Sequence, residues 1–216
     1  MRILHLPTGI AGVPEALSKA ERATGHESKV ISFGDNPYGF SADEILSKRG
    51  SSKFLLGLKA IQAFLKHRKG YDLYHFNSGS SLLHSPDLGL FLADLPFYER
   101  EAIKIFTFSG CDARQKYSSI TRIASSGANA ACTQPTCYKG MCNSGKLDRY
   151  RRATIDKAAK YANHFFALNP DLMHFLPPGI SSFCPYAIAD FYDLREKETS
   201  FFQNESSDEI FYQIES

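Results

Sequence analysis

The stretch RILHLPTGIAGVPEALSKAERATGHESKVISF, residues 2–33, reads as strand, glycine loop, helix and strand. Arg2 to Leu6 is a short apolar run suited to a buried strand. The loop Pro7-Thr8-Gly9-Ile10-Ala11-Gly12-Val13 follows, and Pro14 stands where the first helical turn tolerates a missing N–H. Glu15 to Thr24 carries Leu17, Ala20 and Ala23 at helical spacing, and Gly25 stops it. Ser28 to Phe33 is β-rich. The whole unit has the length of a βαβ crossover, about thirty residues.

The same alternation continues outward. Residues 34–50 read as a loop with Asn36-Pro37 as a turn signal. Ser51 to Lys69 is predicted as an amphipathic helix with Phe54, Leu55, Leu58, Ile61 and Leu65 on one side, the side such a helix ordinarily turns to the core. Tyr71 to Phe76 is predicted as the third strand. A helix broken near Pro96 is expected over Asp87 to Arg100. Ile103 to Phe108 makes the fourth strand, Leu147 to Tyr161 a basic helix, and His164 to Leu168 the fifth strand. Strands alternating with helices predict an α/β, Rossmann-like three-layer domain with a mostly parallel sheet. The expected division is a domain over 1–188, with a cysteine-bearing insertion at about 115–145, and a polar tail over 189–216.

Bulk properties fit a globular chain. Of 216 residues, 43% are hydrophobic and 22% charged, and the formal net charge is +2. That balance points away from nucleic acid or an acidic membrane as the main partner. The N-terminus does not read as a signal peptide, because its apolar run meets Pro7 at once. The chain is read as cytoplasmic. The basic run Lys146, Arg149, Arg151 and Arg152 suggests peripheral placement at the inner membrane face, with a solvated helix face as the alternative.

In open parallel sheets, ligands bind beyond the carboxyl ends of the strands. Three loops there carry candidate residues. Gly9 and Gly12 lie in the first and could leave N–H groups free for an anion. The dinucleotide and Walker-type glycine patterns are both missing, which disfavours an ordinary dehydrogenase or ATPase. Asn77 and Ser78 open a small polar loop able to bond sugar hydroxyls. Ser109-Gly110-Cys111-Asp112-Ala113-Arg114 delivers a carboxylate and a guanidinium, and Arg114 could pair with Asp112 or grip a phosphate with two bonds. Each loop could equally be a structural turn. Among the histidines, His5 and His75 read as core or cleft-lining, and His26, His67 and His84 as surface.

Five segments resemble the N-terminal, acceptor-side domain of family 4 glycosyltransferases, which have GT-B architecture. They are Thr8–Pro14, Gly25-His26-Glu27-Ser28, Tyr71–Phe76, Phe106–Arg114, and Ala167–Leu172 with Leu176-Pro177. The resemblance implies that Gly9 and Gly12 lie against a donor diphosphate. It implies that the loop bearing Ser109, Gly110, Asp112 and Arg114 faces the acceptor, with Asp112 and Ser109 as catalytic candidates. Family members often carry His where this chain has Ser109, and a hydroxyl cannot supply imidazole chemistry. The resemblance further implies a nucleotide-sugar donor, held by a separate or missing C-terminal domain, and a sugar or lipid-linked acceptor. A partner chain with that domain, or a homodimer, would complete the cleft. The reading leans towards the acceptor-binding half of a hexosyl transfer enzyme. The alternative is a non-catalytic sugar-binding or scaffold domain.

Five cysteines occur in a chain read as cytoplasmic, so a disulfide framework is not expected. Cys132, Cys137 and Cys142 recur every five residues, and Cys111 precedes them. Four thiolates could hold a structural zinc ion or an iron–sulfur cluster. Unligated thiols are the alternative.

Overall fold

The computed structural model describes residues 1–9, 12–35, 39–47, 51–119, 136 and 138–185. Seven parallel strands form one sheet: β1 (Arg2–Leu6), β2 (Glu27–Ser32), β3 (Glu44–Ile45), β4 (Leu73–Asn77), β5 (Ile103–Phe108), β6 (His164–Ala167) and β7 (Ser181–Phe183). Their order is β3-β2-β1-β4-β5-β6-β7. Among the described residues, helices α1 (Val13–Ala23), α2 (Lys53–His67) and α3 (Lys146–Ala158) accompany them, and residues 116–119 are helical as well. This is the expected α/β, Rossmann-like fold.

Side chains alternate across the strands and make two different faces. One is aromatic. Phe76 stacks on Phe106 with ring centroids 4.6 Å apart, and Phe106 on Phe165 at 5.7 Å. Phe64 of α2 and Ile155 and Ala158 of α3 join this core. The other face is polar along its centre and lies towards α1. There Glu21 of α1 meets His5 of β1, which meets His75 of β4, which meets Thr107 of β5.

The row is continuous from Glu21 to Thr107. An ionised Glu21 can only accept, so His5 donates from Nε2 at 2.8 Å. His5 Nδ1 and His75 Nδ1 share a hydrogen bond of 2.7 Å. His75 Nε2 and the Thr107 hydroxyl share another of 2.6 Å. Burial, and then the neighbouring His5, push the His75 pKa well below its ordinary value and hold that ring neutral. Both histidines are therefore core residues, as expected for His5 and His75.

Three expectations need correction. The helix over Asp87 to Arg100 is instead two short 3₁₀ turns, Pro86–Leu88 and Leu95–Phe97, because Pro86 and Pro96 each stand at the start of one. The loop after β2 holds a further strand, β3, pinned by Glu44. The Glu44 carboxylate accepts from Lys29 at 2.9 Å and from Lys66 at 3.0 Å, and it meets His67 Nε2 at 3.0 Å. His67 is accordingly buried rather than on the surface.

The third correction concerns α2. Its buried residues are Ala60, Ala63, Phe64 and His67. The stripe expected to be buried is exposed instead, with Phe54 at 77% and Leu65 at 59%. At about 100° per residue, the two sets lie on opposite sides of the helix. The helix is apolar twice over, and the smaller side chains take the tight contact with the sheet.

Candidate functional site: the carboxyl edge of β1, β4 and β5

β1 lies between β2 and β4, so the chain leaves it towards one neighbour and returns beside the other. The crevice of such sheets opens at that point, beyond the carboxyl ends of the strands. All three candidate loops emerge on this edge.

The loop after β1 is fixed at both ends. Phe33 N donates to Pro7 O at 2.8 Å, and the Thr8 hydroxyl donates to Asn77 O at 3.5 Å. Gly12 caps α1 with φ of 68°, and a Cβ there would stand 2.7 Å from the Phe40 ring. Glycine is required on both counts. One residue here escaped sequence reasoning. Both Glu15 carboxylate oxygens, in the first turn of α1, are buried without a hydrogen-bond partner. Burial raises the Glu15 pKa, opposed by the pull of its own backbone N–H, outside hydrogen-bond geometry, and by the charge of His5. The helix N-terminus expected to meet phosphate thus already carries an acid. An acidic residue at that position, visible in the sequence, was the available signal.

The loop after β4 turns tightly, with φ of 52° at Ser78 and 58° at Gly79. A Cβ on Gly79 would meet the Phe108 ring at 2.2 Å. Asn77 is buried and donates from Nδ2 to Leu6 O at 3.5 Å, so it braces β1 against β4. Ser78, half-buried, stands at the rim. Beneath the loop lies a carboxylate that sequence reasoning passed over. Asp94 is fully buried and accepts from the Ser81 hydroxyl, from Tyr98 Oη at 3.0 Å and from Leu83 N at 3.3 Å. Burial raises its pKa despite these donors.

The loop after β5 is organised around Asp112. Its carboxylate accepts from Ser109 N at 2.9 Å, Gly110 N at 2.7 Å and Ala113 N at 3.0 Å, and from Ser109 Oγ at 3.2 Å. Ser109 and Asp112 are therefore brought together, and the acid holds its own loop. Arg114 does not pair with Asp112. It forms a two-bonded pair with Asp171, Nε at 2.7 Å and Nη2 at 3.1 Å, because the Asp112 oxygens face backbone N–H groups. Asn169 Nδ2 donates to Ser109 O at 2.5 Å and closes the same seam.

The cysteines divide. Cys132 and Cys137 lie outside the described residues. Cys111 is exposed, and Cys142 is buried with its sulfur 3.9 Å from Arg151 Nη2. Among the described residues, no three His, Cys, Asp or Glu side chains are grouped to hold a metal ion. The basic run is largely engaged within the chain. Lys146 pairs with Asp87 at 3.1 Å, Arg151 with Asp148 at 3.4 Å, and Arg152 bonds Gln115 at 3.1 Å. No described helix is long and apolar enough to cross a membrane.

No protein family and no curated protein matches the chain. Among solved structures, a sucrose-phosphate synthase from Thermosynechococcus elongatus is similar at 13% identity with a TM-score of 0.47. The match covers 94% of this chain and 98% of that one.

Proposed function

We propose that this chain is the acceptor-binding half of a hexosyl transferase that uses a nucleotide-sugar donor held by a further, C-terminal-type domain. One observation carries the reading. The three candidate loops, two of which lie in segments that resemble family 4 glycosyltransferases, all emerge at the carboxyl edge of the adjacent strands β1, β4 and β5. Small residues line that edge, and such surfaces hydrogen-bond sugar hydroxyls without blocking them. In this reading Gly9 and Gly12 allow close approach of the donor diphosphate, and Asn77 and Ser78 shape the acceptor side with Gly110 and Arg114. Ser109 and Asp112 are the catalytic candidates.

A second reading is favoured by the loop after β5. The Asp112 carboxylate is engaged by backbone N–H groups and Arg114 by Asp171. That engagement suits a non-catalytic sugar-binding or scaffold domain, with the cysteines as a structural metal site.

Saturation-transfer NMR with simple hexosides tests both readings. Transfer from the full chain that is lost in Ser78→Trp supports a sugar site at this edge. No transfer from any hexoside, or transfer unchanged by the substitution, overturns it. Release of free nucleotide or hexose from UDP- or GDP-hexoses then separates an enzyme from a binding module.

A further inference from the structure

The outer stripe of α2 has no role in the sheet or in the candidate site. Phe54, Leu58, Ile61 and Leu65 recur at helical spacing and are all exposed, with Leu55 beside them. A contiguous run of large apolar side chains on a surface marks a place of contact. The segment that carries it holds charge of one sign. Residues 48–69 hold Lys48, Arg49, Lys53, Lys59, Lys66, Arg68 and Lys69 without a single Asp or Glu. Glu44, which does meet Lys66 and His67, reaches them from β3 beneath the helix.

We infer that the outer face of α2 docks on an anionic lipid surface. A basic helix with an apolar stripe lies in the plane of the headgroups, its stripe in the acyl boundary. Lys59 neighbours the stripe at about 100° per residue, and lysine can bury its stem while its ammonium stays at phosphate level. Ser52 accepts from Leu55 N at 3.2 Å and caps the helix, so the face is already formed before contact. The charge favours lipid over a protein partner, because the described cations of the segment, Lys53, Lys59, Lys66, Arg68 and Lys69, match a surface of opposite sign. A second copy would present the same cations and repel.

Flotation of the purified full chain with phosphatidylcholine vesicles, with and without 30% phosphatidylglycerol, tests this. Binding is expected only with the anionic lipid and should weaken with salt. Phe54→Ser with Leu65→Gln should reduce it at least tenfold, and Lys59→Glu should reduce it while the stripe stays intact. All three positions are exposed, so unchanged thermal unfolding is expected and confirms that each variant is folded. Failure to float with anionic vesicles assigns the stripe to a protein occupant and overturns the inference. Equal binding by the stripe variant also overturns it, as does a dimer in solution that the stripe variant dissociates. The outcome is independent of any sugar chemistry at the sheet edge.

Discussion

Arg114 and Asp171 stand 57 residues apart in sequence, yet two parallel hydrogen bonds join them, tying the loop after β5 to the turn after β6. Both side chains are about one-third exposed, which limits the worth of the pair. A double-mutant cycle of Arg114→Ala and Asp171→Ala, read by urea unfolding, should give a coupling of about 1 kcal/mol. Arg114→Lys should recover only part of it, because an ammonium cannot form the planar fork.

Gly79 and Gly12 should respond differently to the same change. Gly79→Ala places a methyl against the buried Phe108 ring at positive φ, and should cost about 2–4 kcal/mol. Gly12→Ala meets Phe40, a partly exposed ring that can swing aside, and should cost about 1–2 kcal/mol. Equal losses in thermal unfolding would remove the distinction between the two neighbours.

Much of this was legible in the sequence. The period-two aromatics of Tyr71–Phe76 and Ile103–Phe108 announced central strands, and Gly12 and Gly25 bounded α1. Strand β3 was hidden because two residues carry no pattern; its place is set by Glu44 reaching Lys29, Lys66 and His67. Helix α2 misled in another way. Periodicity finds an apolar face, and this helix has two, so only packing could decide between Phe54-Leu58-Leu65 and Ala60-Ala63-Phe64. Arg114 showed the same limit at the site, since its partner lies beyond another strand.

Glu44 gives an acid-side signature. Burial pushes its pKa up, but hydrogen bonds from Lys29, Lys66 and His67 prevail and bring it down to about 2, from an ordinary 4.5. An acid with a lowered folded pKa contributes stability above its unfolded value and loses it as pH falls through the folded one. Glu44→Gln should therefore destabilise by about 1–2 kcal/mol at pH 7, after allowing for partial exposure. The difference from wild type should shrink between pH 4.5 and about 2 in unfolding measured at stepped pH.

His84 should act in a higher window. Its Nδ1 accepts from Leu92 N at 3.2 Å, which requires a neutral ring, and burial lowers its pKa to about 4 from 6.5. The unfolded state takes up the proton first, so stability is lost as pH falls from 6.5 towards about 4. Wild type should lose about 1–3 kcal/mol over that window relative to His84→Gln, since other titrations cancel in the difference. Parallel pH profiles for the two proteins would refute it.

The cysteine-ligated metal remains a proposal with a simple readout. If Cys111, Cys132, Cys137 and Cys142 share one zinc ion or cluster, anaerobically prepared protein should carry about one equivalent of zinc or a full complement of cluster iron. Serine at Cys142 should abolish it. Metal-free protein with an unchanged unfolding midpoint would remove the proposal.

The sheet tapers at both sides, to the two residues of β3 and the three of β7. A free strand edge invites an incoming strand, and among the described residues each flank offers only a short one. Edges this short disfavour lateral growth by strand exchange. The contacts proposed above, at the loop-bearing end of the sheet and along the outer stripe of one helix, would instead be made by side chains.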